Sequence, residues 1–299
     1  MAVAVAVRSV PIAALAFGAG HGLSAGVVAI TLLAAVLHAV WNAAAHGVPD
    51  RLVGFALIGL AYTAVCGIAV LVLGLPPAAA WPRILASAVL HAIYVLLLWA
   101  SYQLGEFSQV YPVARGTAPW VVAVIEVALG HDLPAVQLVG VAVISLGLIS
   151  LALDRGRLPR SARPALVAAV ATGCCIASYT VIDAGAVSTT PVLIYAAWMF
   201  LLQGPVMPMI ALVRRKQGLL SQPRRVLIAG LGGGVVSLVA YGLVLVAQTS
   251  GATAAVAALR ETSIVIGAIL GTIFLGERFG IRRAVAAAVV AFGIVLVNV

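Results

Sequence analysis

Charge is scarce in this sequence. Only 8% of its 299 residues are charged, while 64% are hydrophobic. A soluble domain carries about a quarter charged residues, so this chain has too few polar groups to cover a water-exposed surface. The Gly-x-x-x-x-Gly-Lys segment of phosphate-binding loops and the His-Glu-x-x-His helix of zinc peptidases are also missing. We therefore expect neither an ordinary soluble domain nor an enzyme, and no cofactor.

Cysteine is equally rare. The three cysteines, Cys66, Cys174 and Cys175, all lie in apolar stretches, and two of them are neighbours. No spacing typical of metal ligands occurs, so neither a disulfide framework nor a metal site is predicted.

Long apolar runs rich in Ala, Leu, Val and Gly fill the chain instead. Each is about twenty residues long, the length of a membrane-spanning helix, and they are continuous rather than alternating as in barrel strands. A bilayer requires every backbone polar group to be satisfied internally, which a helix achieves. The sequence thus predicts an all-α membrane protein with about ten transmembrane helices. The predicted spans are 24–46, 53–75, 84–104, 107–130, 134–153, 164–184, 188–213, 226–248, 251–275 and 281–298.

The first 23 residues differ from the rest. Arg8 and Pro11 interrupt their apolar run, which leaves too short a stretch to span a bilayer. We interpret residues 1–23 as an N-terminal extension. The alternative is a signal-like segment with a small-residue cleavage position near Ala25.

The formal net charge of +9 comes from basic residues in short loops between the apolar runs. This placement indicates contact with anionic lipid rather than with nucleic acid, so the bilayer is the expected partner. Thirteen of the 17 Lys and Arg residues fall in loops that share one side of the predicted topology. The positive-inside rule places that side in the cytoplasm and both termini outside.

An internal repeat appears when the sequence is displaced by 146 residues. Gly147 then meets Gly293, and Arg115 lies within one residue of Arg260. The predicted repeats are 24–153 and 164–299. Because each contains five spans, an odd number, the second must enter the membrane inverted. Inverted repeats place a shared site near the midplane and favour alternating access, so this architecture indicates transport.

Five stretches carry a family resemblance. They are Leu-His-Ala-Val-Trp-Asn at 37–42, the segment 105–116, Ala-Ser-Tyr-Thr-Val-Ile-Asp at 177–183, Leu-Arg-Glu-Thr-Ser at 259–263 and Phe-Leu-Gly-Glu-Arg at 274–278. From about residue 25 to the end, the chain resembles the EamA-type branch of the drug/metabolite transporter superfamily. Two departures are Gly-His-Asp at 130–132, where the family usually has Gly-Glu, and the outward termini, since many relatives keep both termini in the cytoplasm.

The resemblance implies a secondary transporter in a bacterial cytoplasmic membrane. Its substrate would be a small polar metabolite such as an amino acid or a derivative, exported by exchange or with protons as the coupling ion. One alternative is a carrier for organic cations or drugs. A second is a membrane sensor that transports nothing, or an intramembrane enzyme. The sequence leaves the oligomeric state open.

Charges near the bilayer centre mark the candidate site. Arg115, Arg260 and Glu261 each cost roughly 2.5–3.5 kcal/mol at a helix centre unless they pair or meet water, so they must face the interior. An arginine there can bind a carboxylate or phosphate of the substrate. Glu261 would neutralise an arginine or carry the coupling proton. The alternative is a fixed ion pair, Arg115–Glu261 or Arg260–Glu261, between the repeats.

Histidine and aromatic side chains complete the candidate set. His38, Trp41 and Asn42 fall on one face of the first predicted helix, which favours cavity lining. Because free histidine titrates near neutral pH, His38 and His91 are candidates for proton coupling, or else for interhelical hydrogen bonds. The candidates for stacking or cation–π contacts with a substrate are Tyr94, Tyr111, Tyr179 and Tyr241.

Two further carboxyls, Glu126 and Asp183, lie near predicted helix ends. From there a side chain can reach the membrane interface, so we expect neither to take part in the site.

Overall fold

The computed structural model describes residues 23–46, 48–104, 107–150, 163–215, 219–266 and 281–297. Within them the regular structure is helical, without a strand. Three predicted features lie largely or wholly outside the described residues: the N-terminal extension 1–23, the basic loop after residue 153, and the second half of the ninth span, including 274–278.

The helices follow one another in chain order with short connections. They are α1 (Ala25–His46), α2 (Arg51–Leu73), α3 (Trp81–Leu104), α4 (Phe107–Ala128), α5 (Ala135–Ser150), α6 (Arg163–Val187), α7 (Val192–Gln203 and Val206–Arg215), α8 (Arg224–Leu227, Ile228–Gly232 and Gly233–Gln248), α9 (Thr253–Arg260) and α10 (Ile281–Val297).

Local chemistry explains where these helices begin and end. The Asp50 carboxylate accepts the backbone N–H of Leu52 at 3.0 Å and so caps the start of α2. Gly74, just after that helix, has φ +78°, a conformation that costs glycine little.

Six of the described helical segments are long and apolar enough to cross a membrane, by length and composition. They are Ala25–Asn42, Arg51–Leu73, Ala78–Ser101, Arg163–Val187, Val192–Arg214 and Arg224–Gln248. Large apolar side chains such as Leu71, Val72 and Val213 stand exposed on their outer surfaces, as lipid contact requires. The predicted all-α membrane class is therefore confirmed.

Two predicted spans are interrupted in the structure. The seventh breaks at Gly204 and Pro205, since proline lacks a backbone N–H to continue the helix. The ninth breaks at Glu261, where the N–H of Glu261 bonds to the Ala258 carbonyl in a tighter turn, and helical backbone resumes at 262–266. Both interruptions fall inside predicted spans, and the seventh still has the length and composition to cross a membrane as one segment, Val192–Arg214.

Helix packing rests on glycine at the closest crossings. Helices α2 and α7 meet at Gly59 and Gly204, and α5 meets α10 at Gly140 and Gly293. A Cβ added at Gly140 would lie 2.8 Å from the Gly293 carbonyl oxygen, a separation that side chains do not tolerate. Small residues at these points let the backbones approach, the usual basis of helix association in lipid.

Gly59→Ala tests this packing, because the new methyl group would overlap the backbone carbonyl oxygen of Gly204. We expect the free energy of unfolding to fall by about 1–3 kcal/mol, measured as a lower thermal unfolding temperature in detergent. Gly242→Ala is the matched control, because a Cβ there meets nothing within 4 Å. Equal unfolding temperatures for the two variants would contradict the close contact.

Candidate functional site

A cavity lies in the middle of the bundle, and we call it the central cavity. It is lined by Ala34, His38, Trp41, Phe55, Ile58, Gly59, Tyr62, His91, Tyr94, Val95, Arg115, Tyr179, Phe200, Gln203, Gly204, Met207, Ser237, Ala240, Tyr241, Val244 and Arg260. Its volume is about 90 Å³. A cavity needs about 10–15 Å³ of such space to admit one water, so this one has room for several waters or a small solute.

An aromatic cluster forms one wall of the central cavity. The His91 ring of α3 stacks on Tyr179 of α6, with ring centroids 3.7 Å apart, and meets the Tyr241 ring of α8 edge-on at 5.3 Å. Tyr94 packs against Tyr179 at 5.8 Å. His91 Nδ1 lies 3.0 Å from the Ser87 carbonyl oxygen. Because a carbonyl oxygen only accepts hydrogen bonds, Nδ1 carries the proton. In the neutral ring, Nε2 is then the acceptor nitrogen.

Helix α1 supplies a second polar wall. The Trp41 indole N–H donates to His38 Nδ1 at 3.2 Å, which makes Nδ1 the acceptor and Nε2 the protonated nitrogen of a neutral ring. Both side chains line the cavity. Asn42 donates to the His38 carbonyl at 2.7 Å and is not among the lining residues. Tyr111, half-buried on α4, is not among them either.

Several cavity residues were not predicted from the sequence, among them Tyr62 and Ser237. The Tyr62 hydroxyl of α2 lies 2.8 Å from the Ser237 hydroxyl of α8, and both side chains line the cavity. Each is one of the few polar residues in a mostly apolar span. That signal is visible in the sequence, but it does not say which helix faces which.

Arg115 and Glu261 form a buried ion pair. Arg115 Nε lies 2.9 Å from Glu261 Oε2, and the side chains are 4% and 2% exposed. The two atoms are close without the alignment of a good hydrogen bond. Arg115 Nη2 also reaches the Ser263 hydroxyl at 3.5 Å. Of the two ion pairs considered from the sequence, the structure contains Arg115–Glu261, which joins α4 to the break after α9.

Arg260 is the second buried arginine of the candidate site. It is 5% exposed and lines the central cavity, where its guanidinium carbon lies 5.7 Å from the centre of the Tyr241 ring. That distance is within the range of a cation–π contact. Among the described residues its guanidinium has no carboxylate within ion-pair distance. The cavity wall therefore carries a positive charge that no neighbouring acid neutralises directly.

The burial of Asp183 differs from the prediction made from the sequence. We expected its carboxyl to reach the interface, but it is fully buried. Helix α6 continues to Val187, and α7 and α8 cover the carboxyl. It accepts a hydrogen bond from the Tyr195 hydroxyl at 2.6 Å and another from Tyr241. The position of a carboxyl near the end of its own helix does not show whether neighbouring helices extend past that end and bury it.

Glu126, the other carboxyl near a helix end, pairs with His131. Glu126 Oε2 lies 2.7 Å from His131 Nδ1, and the histidine side chain is 60% exposed. This pair lies at the end of α4, and neither residue lines the central cavity.

Residues 163–299 match the model of the EamA-like transporter family. The second half of the chain is an EamA-like domain. The family predicted from the sequence is thereby confirmed. With the apolar helices, the match over residues 163–299 supports a multi-pass membrane protein.

One solved structure, described only as "Crystal structure of protein", superposes with a TM-score of 0.71. The match covers 91% of this chain and 96% of that chain at 17% identity, so the likeness concerns the fold alone. It nevertheless includes nearly all of both halves. None of the curated proteins compared with this chain matches it.

The EamA-like domain and the first half of the chain both contribute to the cavity. The domain supplies Tyr179, Tyr241 and Arg260, while His38 and His91 come from the first half. The cavity is thus assembled between the two halves rather than within either one.

Glu261→Gln tests the ion pair. It leaves the Arg115 charge buried without its partner, which costs about 3–5 kcal/mol of stability and should lower the thermal unfolding temperature sharply. The double variant Arg115→Gln/Glu261→Gln should recover part of that loss, because no charge is then stranded. Glu126→Gln is the control, since its partner His131 is exposed and little change is expected. A double variant less stable than Glu261→Gln would contradict this account.

Proposed function

We propose that this protein is a secondary active transporter that moves a small polar metabolite with an anionic group by alternating access. The observation that carries the proposal is Arg260, a buried guanidinium in the central cavity with no carboxylate partner among the described residues. A carboxylate or phosphate fits its planar fork of donors. Amino acids and their derivatives fall in this class, and export in a bacterial cytoplasmic membrane, by exchange or with protons, follows from the family resemblance.

An inverted five-plus-five repeat is part of the proposal. If a two-fold axis relates the halves, residues on that axis must contact their own counterparts. Arg115 and Glu261 are in contact and differ by the 146-residue displacement of the repeat. Gly59 and Gly204 are in contact and differ by one residue less. Two independent crossings thus lie where an axis would place them.

The helix pairs follow the same relationship. α3 packs on α6, as α8 packs on α1, and α4 packs on α6, as α9 packs on α1. Adding five to each helix number, and counting on from α10 to α1, converts α3–α6 into α8–α1 and α4–α6 into α9–α1. This supports two halves that surround one cavity and can rock around it.

A displacement of 146 residues, without the one-residue slip, also changes which residues of the two halves correspond. It makes Glu261, rather than Arg260, the counterpart of Arg115. A cation and an anion therefore occupy equivalent places and neutralise each other. Arg260 has no charged counterpart in the first half, because the position 146 residues earlier is Ala114.

The charge of the cavity wall favours an anionic group over an organic cation. Glu261, the carboxylate around which a cation site would form, is bound to Arg115 and is not among the lining residues. Arg260 is among them, with the Tyr241 ring beside it. The aromatic wall then contacts the rest of the substrate, and the small cavity volume limits its size.

A thermal-shift screen of the purified protein tests the proposal. The panel comprises amino acids, other carboxylates, phosphonates, nucleotide-derived metabolites and amines. A ligand at a hundred times its Kd stabilises the folded state by about 2.7 kcal/mol, a clear rise in unfolding temperature. We expect carboxylate or phosphonate compounds to give that rise, Arg260→Gln to abolish it, and Arg224→Gln, an exposed arginine outside the cavity, to keep it.

Liposomes loaded with the compound found in the screen then separate the remaining functions. Transport lost in Arg260→Gln supports the proposal. Amines that bind to Arg260→Gln but not to Glu261→Gln would indicate a cation carrier instead. Binding without movement of solute would indicate a sensor.

A further inference from the structure

The Asp183 carboxylate connects its own helix to α3, α7 and α8. It lies on α6, accepts the Tyr195 hydroxyl of α7 at 2.6 Å and accepts the Tyr241 hydroxyl of α8 through its other oxygen. Its side chain is fully buried, and among the described residues no cation lies within ion-pair distance. A buried carboxylate held by hydroxyls alone is costly in a membrane, and such groups commonly mark proton pathways.

The cluster lies between the central cavity and the turn at 188–191, and we call that side the 188–191 end. Asp183 is four residues before the end of α6, and Tyr195 is in the first turn of α7. Tyr195 belongs to a closely packed apolar cluster that also contains Cys66 of α2 and Val187. Phe200 of α7 belongs to the same cluster and also lines the central cavity, so this packed region lies directly against the cavity.

Side-chain contacts also join neighbouring segments at the outer rim of the 188–191 end. Arg83 donates to the Thr189 hydroxyl at 3.3 Å. The Trp198 indole N–H donates to the Gly74 carbonyl at 2.8 Å, and its ring packs edge-on against Trp81. The rim contacts and the carboxylate cluster thus join neighbouring helices at the 188–191 end.

Tyr241 connects the cluster to the cavity. Its hydroxyl bonds Asp183, while its ring lines the cavity beside the Arg260 guanidinium. Loss of the hydrogen bond to Asp183 would therefore allow the Tyr241 ring to move within the cavity wall.

Groups from several of the helices packed on α6 surround Asp183. The Ser87 hydroxyl of α3 also bonds its carboxylate. Tyr195 faces it from α7 and Tyr241 from α8, with His91 of α3 and Arg260 of α9 behind the Tyr241 ring. On its own helix, Tyr179 has its ring centre 6.1 Å from that of Tyr241. Apolar side chains that α4 places along this part of α6 are Val121, Val122 and Ile125.

We propose that Asp183 is a proton-binding site that holds the 188–191 end closed while it is ionised and releases it when it is protonated. An ionised carboxylate accepts both phenols in charge-assisted hydrogen bonds, which are about twice as strong as neutral ones. A proton from water makes one oxygen a donor and leaves neutral hydrogen bonds, so α7 and α8 lose much of their attachment to α6.

The link through Tyr241 gives the proton a consequence for the substrate. When the Tyr241 hydroxyl is released, its ring moves relative to Arg260, the group proposed to bind the anion. Proton binding and anion binding are then coupled, and each changes the affinity for the other. This step rests on the proposed transport function, whereas the opening of the 188–191 end does not require a substrate.

Cys66 is a built-in reporter for that opening. Its side chain is 5% exposed and packs in the same cluster as Tyr195. In a Cys174→Ser/Cys175→Ser background it is the single thiol. Its reaction with a small water-soluble maleimide therefore measures access to the 188–191 end, and Cys66→Ser supplies the blank.

The experiment compares labelling rates of this protein with and without Asp183→Asn, from mildly acidic to mildly alkaline buffer. The ratio of the two rates at one pH cancels the pH dependence of the thiol itself. In alkaline buffer we expect Asp183→Asn to label roughly tenfold faster or more, the equivalent of one charge-assisted hydrogen bond. In acid the ratio should approach one, because Asp183 is then protonated as well.

Further variants keep the test decisive. Tyr195→Phe removes one hydroxyl and keeps the ring, so it should label at an intermediate rate with the pH dependence retained, even if Asp183→Asn does not fold. Asp132→Asn removes an exposed carboxyl elsewhere and should behave as the parent protein. A ratio constant over pH, or parent-like labelling in both cluster variants, would overturn the proposal. Since labelling needs no substrate, a failure of transport would be a separate result.

Discussion

The rest of the structure depends on one constraint, the neutralisation of charge inside an apolar bundle. A guanidinium and a carboxylate at the bilayer centre are tolerated only when they meet, and Arg115 and Glu261 do so at 2.9 Å. For this contact α4 must lie against the end of α9, and α9 must turn at Glu261 to present the side chain. With this pair formed, Arg260 is the buried arginine that we propose binds the anionic group of the substrate.

Charge and packing therefore divide the work between different helices. Glycine crossings bring backbones together both beside the cavity, at Gly59–Gly204, and away from it, at Gly140–Gly293. Around the cavity, hydroxyls, rings and the paired charges take over, and Asp183 extends the polar set toward one side. The result is an interior in which Arg115–Glu261, Tyr62–Ser237 and the Asp183 cluster join different helices, while many other hydroxyls bond to carbonyls of their own helix.

The sequence predicts the helices well, because spanning a bilayer requires long apolar runs and little else. It also predicts that Arg115, Arg260 and Glu261 face inward, since the cost of charge in lipid does not depend on the details of packing. It does not predict which arginine pairs with Glu261, because neighbours on one helix point in different directions. Asp183 was misplaced for a similar reason: its burial comes from α7 and α8, not from its own helix.

The π-helical turn at Ile228–Gly232 determines what α8 offers to the cavity. Such a turn holds one residue more than an α-helical turn, and one residue corresponds to about 100° of rotation around the axis. The segment beyond it is therefore turned away from the direction that a regular helix would give it. Ser237 and Tyr241 face inward with that rotation in place. The orientation of the tyrosine that touches both Asp183 and Arg260 is thus encoded several turns away, in a run of glycines.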